Sequence, residues 1–473
     1  MSIGDTPASS TGRHRGRASR RRLLLVTAGL SAAAVLATAA FTVASGGPGA
    51  WFGSDSPSPA QAQGSADPGP SASTTPSPAA SPSAPTSAVG PCARTAGPQP
   101  VVKVTEVKLS AAVTGYGREG DTEPLPMAVA ERPAGGSWLA WLGTDGRVYL
   151  GRLDCDDKLV GTPTSFAGID LQDVHADRTG GVVLLTRKGD CGGGKLCGGS
   201  SSPCRTMHMV RFDDTGRQVW ERQVTNLGGS RTGYDDGARF VWWYQHHGRL
   251  ATDGKNYAAY FGVAITVRNG SCVDIHEGDR MQVVDANGKL VSGHRDSFEV
   301  GCSHSWTTRI VWDPRTSHYA MVCATDNACR IAQPDPYRTV AAGACDGSLF
   351  GGDLVLAPTG GYWTAWSQGG GVRLERFTTG RSNLTVRTTA KSSHPHLVSY
   401  GTGRMLLAWA SGSSIAAQVY DAATGKTVGA KFTVNVKDHD YLAFKAYSDG
   451  SAAYPAAGGG NRSIRIARVL PLA

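Results

Sequence analysis

Histidine and aspartate recur at one position of an internal sequence repeat. This position lies at or near the start of an apolar segment that recurs after residue 100. Imidazoles and carboxylates that a repeat brings together can form a metal site or an acid–base site. We therefore expect a ring of ionisable side chains wherever the repeats converge. The residues at this position or close to it are His247, Asp353, His396, Asp173, His304 and His439.

Three interpretations of this ring remain open. The imidazoles of His247, His304, His396 and His439 would bind a divalent metal, whose identity the sequence does not indicate. The same groups, with Asp173 and Asp353 as binding residues, would serve acid–base chemistry or contact a ligand. Alternatively, each histidine only ties neighbouring repeats together through hydrogen bonds, because a repeat copies a structural residue as readily as a functional one.

The third repeat is richer in such groups than its neighbours. It contains His247, Tyr257, His276 and Arg280 on segments predicted to be adjacent strands. Together these side chains suit proton abstraction beside a uronate carboxylate, because arginine neutralises the acid while histidine or tyrosine moves the proton. We take these four residues as catalytic candidates. The alternative is that His276 and Arg280 lie on the outer face with ordinary polar roles.

Aromatic residues divide into two groups by position. Tryptophans in the second strand of a repeat are predicted to pack between repeats, as for Trp138, Trp141, Trp363, Trp366 and Trp409. A second group lies beside the histidine-bearing segment starts and suits stacking on sugar rings. With the neighbouring histidine, these binding candidates are His246, Trp242, Trp243, Tyr244 and Trp306.

The elements that position these residues are predicted to be β-strands. After Val101, short runs of Val, Tyr, Trp, Leu and Ile alternate with Gly, Asp and Asn turns about every ten residues, which is typical of an all-β domain. Residues 353–366 align without gaps on residues 396–409, and residues 128–141 and 247–260 align in the same way. Each unit is an inner strand, a tight turn and a second apolar strand.

The repeat count predicts a seven-bladed β-propeller. Residues 101–110 precede the first unit, and the last unit has only three strands. We expect residues 101–110 to complete that last blade, because ring closure removes exposed sheet edges. Inner strands are predicted to begin near residues 125, 171, 247, 302, 352, 394 and 438.

Apolar strands joined by a D-x-x-G turn follow several units, at residues 210–220, 281–291 and 416–428. This hairpin resembles the outer blade strands of pyrroloquinoline-quinone-type and related propellers. The resemblance covers the pattern over residues 101–473 and implies a fold, without matching any family's active site. Propeller-fold polysaccharide lyases are similar in using His, Tyr and Arg at one channel mouth, which implies a comparable chemistry here by analogy of fold.

The first 100 residues are predicted to carry the domain across a membrane. Residues 1–22 form a basic cytoplasmic tail, and residues 23–44 are uncharged and long enough to span a bilayer. Their length favours an uncleaved anchor, whereas Ala37–Ala39 fits a signal cleavage site. Arg20–Arg21 also resembles a twin-arginine export signal. Residues 45–100, rich in Pro, Ser and Ala, are predicted to be a disordered linker.

The cysteines indicate an exported protein with disulfides, and the charge distribution argues against a nucleic-acid-binding protein. All ten cysteines follow the predicted helix, and an even count in an exported chain indicates disulfides. Cys323 and Cys329 are close enough in sequence to bridge a hairpin, and Cys191, Cys197 and Cys204 are expected to staple a loop. Residues 1–22 carry +5 of the formal net charge of +9, and no dense Lys/Arg run follows them. The remainder lacks the concentrated basic face of a nucleic-acid-binding protein.

These observations support two functional hypotheses. The first is a membrane-tethered or secreted propeller that binds an extracellular glycan, wall component or peptide at its channel mouth. The second is a polysaccharide lyase or hydrolase, with or without a metal, that uses a His/Tyr/Arg site. The sequence leaves open whether the protein is an enzyme.

Overall fold

The structure is a computed structural model of the chain. Its strands form seven antiparallel sheets, which are arranged as the blades of a propeller. The fold is all-β, as predicted. The structure describes residues 92–114, 126–188, 197, 205–225, 234–240, 248–269, 272–291, 297–300, 307–325, 329–346, 348–378, 384–391, 394–439 and 442–473.

Blades one to three take up the first half of the ring. Blade one comprises β2 (Met127–Glu131), β3 (Ser137–Leu142), β4 (Arg147–Leu153) and β5 (Leu159–Ala167). Blade two comprises β6 (Asp173–Ala176), β7 (Val182–Lys188), β8 (Thr206–Phe212) and β9 (Gln218–Gln223). Blade three comprises β10 (Tyr234–Phe240), β11 (Arg249–Thr252), β12 (Asn256–Asn269), β13 (Cys272–Asp285) and β14 (Ser297–Val300).

Blades four to seven complete the ring. Blade four comprises β15 (Thr307–Asp313), β16 (His318–Thr325), β17 (Arg330–Pro334) and β18 (Tyr337–Ala342). Blade five comprises β19 (Phe350–Leu356), β20 (Tyr362–Gln368), β21 (Gly371–Phe377) and β22 (Leu384–Lys391). Blade six comprises β23 (Pro395–Tyr400), β24 (Arg404–Ser411), β25 (Ser414–Asp421) and β26 (Thr427–Val434). Blade seven comprises β27 (Lys445–Ala446), β28 (Ala452–Ala457), β29 (Ser463–Val469) and β1 (Val102–Lys108).

The ring closes as the repeat count predicted. Strand β1 pairs antiparallel with β29, from Val102 opposite Val469 to Lys108 opposite Ser463. The last blade therefore combines the two ends of the domain, and this pairing covers the edge of β29.

Blade packing follows the pattern of apolar second strands. The tryptophans predicted to pack between blades are all buried, which confirms that prediction. Trp138 also donates its indole N–H to Gly180 O of the next blade at 3.0 Å, and Trp363 donates to Ala422 O at 2.7 Å. These contacts satisfy buried polar groups while joining neighbouring blades.

The D-x-x-G turns of the outer hairpins have a local cause. Asp213 Oδ1 accepts hydrogen bonds from the backbone N–H of Thr215 at 3.0 Å and of Arg217 at 3.0 Å. Gly216 has φ of 88°, a conformation that residues with a Cβ rarely adopt. The aspartate therefore closes the turn, and the glycine allows the chain to reverse.

The disulfides differ from the pairing that proximity in sequence allows. Cys329 bonds to Cys345 rather than to Cys323, which is itself disulfide-bonded. Proximity in sequence left the pairing open, and it does not decide it here: Cys323 packs in a buried cluster from β16, while Cys329 begins the hairpin that Cys345 follows. Cys92 bonds to Cys155, and Cys197 bonds to Cys272. Cys197 thus connects the insert of blade two to blade three, whereas Cys191 and Cys204 lie outside the described residues.

The predicted tail, helix and linker at residues 1–100 fall almost entirely outside the described residues. In the part of the chain that the structure does describe, no helix is long and apolar enough to cross a membrane. The helix at residues 23–44 therefore stays a prediction.

Candidate functional site

One position of the inner strands carries charged side chains in five consecutive blades. Equivalent positions are found by counting back from the turn that follows each inner strand. In blades two to six, the residues at this position are Asp173, Arg249, Arg309, Asp353 and His396. The strand register supports this, since these residues or their neighbours lie opposite the third to fifth residue of each second strand. Blades one and seven have alanines there, Ala128 and Ala443.

A buried carboxylate of blade five joins the two arginines. Asp353 Oδ1 lies 2.8 Å from Arg309 Nε and 3.8 Å from Arg249 Nε, and all three residues are buried. Burial alone would raise the pKa of Asp353, but the two guanidinium groups outweigh it and hold that pKa below its usual value. Burial, followed by repulsion from Arg249, lowers the pKa of Arg309 to about 10.

A second ion pair crosses the channel between blades two and seven. Lys445 Nζ lies 2.5 Å from Asp173 Oδ1, and Asp173 Oδ2 accepts the backbone N–H of Leu250 at 2.9 Å. His175 lies two residues after Asp173 and lines the same channel. Burial, and then the ammonium of Lys445, lower the pKa of His175 to about 4, so its imidazole is neutral at pH 7.

A third group surrounds Asp438 between blades six and seven. His396 Nε2 lies 2.7 Å from Asp438 Oδ1, and Tyr454 donates its hydroxyl to the same oxygen at 3.2 Å. Burial would lower the pKa of His396, but Asp438 outweighs it and raises that pKa above its usual value. The backbone N–H of His439 donates to the Tyr454 hydroxyl at 2.9 Å, so His396 and His439 lie in one hydrogen-bonded group.

The first two of these groups contribute Arg249, Arg309, Asp353, Lys445 and His175 to the wall of a cavity of about 180 Å³ in the central channel. Blades two to seven contribute to its wall. Three cations, Arg249, Arg309 and Lys445, face a single carboxylate of the lining, that of Asp353. The cavity therefore suits an anionic group, which arginine can hold through paired hydrogen bonds.

The structure brings together four of the residues predicted from the repeat. Asp173 and Asp353 contribute to the channel ion pairs, and His396 and His439 lie around Asp438. The repeat alignment had placed His247 at the ring position of blade three, whereas the strand register places Arg249 there.

The third-blade candidates are spread along two strands. Tyr257 is buried opposite Thr252 and donates its hydroxyl to Asp177 at 2.8 Å. Arg280 is buried opposite Phe261, four residues further along β12, or roughly 13 Å at strand spacing. His276 lies in β13 opposite Ile265. The structure therefore does not place Tyr257 and Arg280 side by side.

Several candidate residues lie outside the described residues and stay predictions. Within the described part of the chain, no group of three or more His, Cys, Asp or Glu side chains is arranged to hold a metal ion. The predicted metal ring depends in part on two histidines that are not described. The candidates outside the described residues are His246, His247, His304, Trp242, Trp243, Tyr244 and Trp306.

Sequence reasoning missed the cations of the channel. The sequence pattern does not single out Arg249, Arg309 or Lys445, and it does not indicate Asp438 either. Position in the repeat could have revealed Arg309, because it precedes the inner turn of its blade by the same number of residues as Asp353 precedes the inner turn of blade five.

The domain has the fold of known propellers without close sequence similarity. No protein-family model matches the chain, and no curated protein is significantly similar to it. An ulvan lyase of a polysaccharide lyase family, bound to -[GlcA(1-4)Rha3S]-, is 10% identical with a TM-score of 0.43, over 79% of this chain and 96% of that chain. The WD40 domain of Toxoplasma gondii coronin is 11% identical with a TM-score of 0.43, over 79% and 87%. The Dos1 propeller is 9% identical with a TM-score of 0.42, over 78% and 84%.

Proposed function

We propose that this protein is an extracytoplasmic binding module that holds an acidic group of a glycan, a wall polymer or a peptide in its central channel. The observation that carries the proposal is the charge of the channel cavity. When Asp173, which pairs with Lys445, is counted as well, the cavity has three cationic side chains and two carboxylates. The excess positive charge matches a uronate carboxylate, a wall phosphate or an acidic peptide side chain.

The buried position of the arginines strengthens such an interaction. Charges interact more strongly away from bulk water, and hydrogen bonds to charged groups contribute about 1.5–3 kcal/mol each. Arg249 and Arg309 share the single carboxylate of Asp353, and each also donates to a backbone carbonyl, Gly248 O at 3.1 Å and Thr308 O at 2.8 Å respectively. An incoming anion would therefore complete the charge balance of the cluster.

Location outside the cytoplasm is supported by the cysteines and by the predicted leader. Among the described residues, disulfides join Cys92 to Cys155, Cys197 to Cys272, and Cys329 to Cys345, and Cys323 is also disulfide-bonded. Disulfides persist in oxidising compartments. With the predicted helix at residues 23–44 and linker at residues 45–100, this supports a domain held beyond the membrane or released after cleavage.

A second candidate function rests on His175. Its imidazole is neutral at pH 7 and lines the same cavity as Arg249 and Arg309. A bound uronate would place its acidic C–H near a proton acceptor while arginine neutralises the carboxylate. The imidazole would take that proton, the glycosidic C–O bond would break as a C=C bond forms, and water would protonate the leaving oxygen. This reaction yields an unsaturated uronate with characteristic ultraviolet absorbance.

Binding measurements with three acidic probes test the proposal. Isothermal titration calorimetry would use hexagalacturonate, poly(glycerol phosphate) and a hexaglutamate peptide, and we expect at least one to bind more weakly as salt rises. Arg309→Met should lower that affinity by about 10-fold or more, since a charge-assisted contact is lost.

Arg217→Met is the matched control, because Arg217 is a largely exposed arginine in an outer turn of blade two. It should leave the affinity unchanged. Thermal melts of each variant check folding. The proposal fails if none of the probes binds, or if folded Arg309→Met binds as tightly as the parent protein.

A further inference from the structure

A repeated clamp joins neighbouring blades on the face formed by the inner turns. The hydroxyl of Tyr257 in blade three donates to Asp177 of blade two at 2.8 Å, and Arg211 donates to the same aspartate at 2.9 Å. The hydroxyl of Tyr362 in blade five likewise donates to Asp313 of blade four at 2.9 Å. We call this tyrosine–aspartate contact between blades the inter-blade clamp.

The junction between blades three and four has a different arrangement. By strand register, Tyr319 and Asp253 occupy the positions of the clamp tyrosine and the clamp aspartate. Asp253 is used within its own turn, where it accepts from the backbone N–H of Lys255 at 2.7 Å and of Asn256 at 2.6 Å. It also accepts from the Asn256 side chain at 2.8 Å. Asp177 and Asp313 also close their own turns through Oδ1, but their Oδ2 atoms accept from the clamp tyrosines, whereas Asp253 Oδ2 accepts from the Asn256 side chain.

A cavity of about 330 Å³ opens at this junction. Its volume lies in the range of small-molecule pockets, about 300–1,000 Å³. Both Asp253 and Tyr319 line it. The cavity therefore lies at the junction where Tyr319 and Asp253 occupy the clamp positions, and where Asp253 forms its hydrogen bonds within its own turn.

The lining combines aromatic faces with hydrogen-bonding groups. Trp312 and Tyr319 are both half-buried, with ring centroids 4.9 Å apart. Asp253, Asp335 and His318 contribute polar groups to the wall. Among the described residues that line the cavity, none is Lys or Arg. Its carboxylates therefore disfavour an anionic ligand, unlike the cationic channel.

We propose that this junction cavity, between blades three and four, binds an uncharged sugar ring of a polysaccharide. The apolar face of a pyranose would pack on Trp312, while its hydroxyls would donate to the carboxylates of Asp253 and Asp335. The inference is independent of the channel proposal, because the two sites share no lining residue and attract ligands of different charge.

Calorimetry with neutral oligosaccharides tests this site. The probes are cellohexaose, maltohexaose, mannohexaose and chitohexaose, and we expect at least one of them to bind. Trp312→Ala should weaken that binding about tenfold, the upper range of an aromatic contact, whereas Trp312→Phe should retain most of it.

Tyr149→Ala provides the matched control. Tyr149 is also a half-buried aromatic, stacked on Trp141 at 5.2 Å, but it belongs to blade one. It should leave the affinity unchanged, and thermal melts should show that all three variants fold. His318→Ala removes an exposed lining residue at little structural risk and should also weaken binding.

The proposal is overturned if no neutral probe binds, or if binding survives both Trp312→Ala and His318→Ala in folded protein. Equal weakening by Tyr149→Ala would also overturn it, because the effect would then not be local. Loss of acidic-probe binding on Arg309→Met, with neutral binding absent, would overturn this site while leaving the channel proposal intact.

Discussion

A single substitution at the ring seam should destabilise the whole propeller. Arg468 in β29 is fully buried, and its guanidinium donates to Asp157 of blade one at 2.9 and 2.5 Å. It also donates to Ser137 at 3.1 Å and lies 4.2 Å from the ring centroid of Tyr447. Asp157→Asn would leave this cation buried without its counter-charge.

The expected magnitude follows from the cost of a buried unpaired charge. Breaking a buried ion pair by removing one partner typically costs about 3–5 kcal/mol. Asp157 has φ of 60°, a conformation that asparagine tolerates, so the backbone adds little to the cost. For a domain of roughly 370 residues, an unfolding entropy of about 2.1 cal/mol/K per residue converts this loss to a fall in Tm of about 4–6 °C.

Differential scanning calorimetry of oxidised protein would measure this fall, with Asp156→Asn as the control. Asp156 is an exposed neighbour whose partner is the exposed Lys103, and removing its charge should leave Tm nearly unchanged because solvent screens that ion pair. The double variant Asp157→Asn/Arg468→Met should recover much of the lost stability, because it removes the orphaned charge as well. Equal Tm values for Asp157→Asn and the parent protein would refute the reasoning, as would a double variant less stable than Asp157→Asn alone.

Two other features of the domain lead to direct tests. The pKa of His396 is raised by Asp438, so its stabilising charge is fully present below its ordinary pKa of about 6.5 and is lost as pH rises through the raised value. Urea denaturation between about pH 5 and 9 should therefore show stability falling with rising pH, and His396→Gln should flatten that dependence. Deleting residues up to 110 removes β1 and exposes the edge of β29, so size-exclusion chromatography should show aggregates. A monodisperse truncated protein would contradict the role of β1 in closure.

The architecture was predictable because it is encoded locally and repeatedly. Alternating apolar residues and D-x-x-G turns specify strands and hairpins within each unit. The unpaired segment at residues 101–110 could be assigned to the last blade because an open ring leaves exposed edges. Buried tryptophans such as Trp138 and Trp363 recur at one strand position, so a repeat alignment reveals them.

The site was less predictable because it depends on register and on distant contacts. The ungapped alignment places His247 opposite Asp353, two residues before Arg249, and the inner turn of blade three, one residue shorter than that of blade five, accounts for one of those two residues. Lys445 and Asp173 are 272 residues apart and meet only across the closed ring. No local pattern encodes that contact, and the same is true of Cys197 with Cys272.

The most direct test of the channel proposal is a crystal structure of the protein with hexagalacturonate at saturating concentration, beside the calorimetry above. The proposal predicts a carboxylate of the ligand within hydrogen-bond distance of the guanidinium of Arg249 or Arg309, or of the ammonium of Lys445. An ordered oligosaccharide bound elsewhere with none in the channel would contradict it.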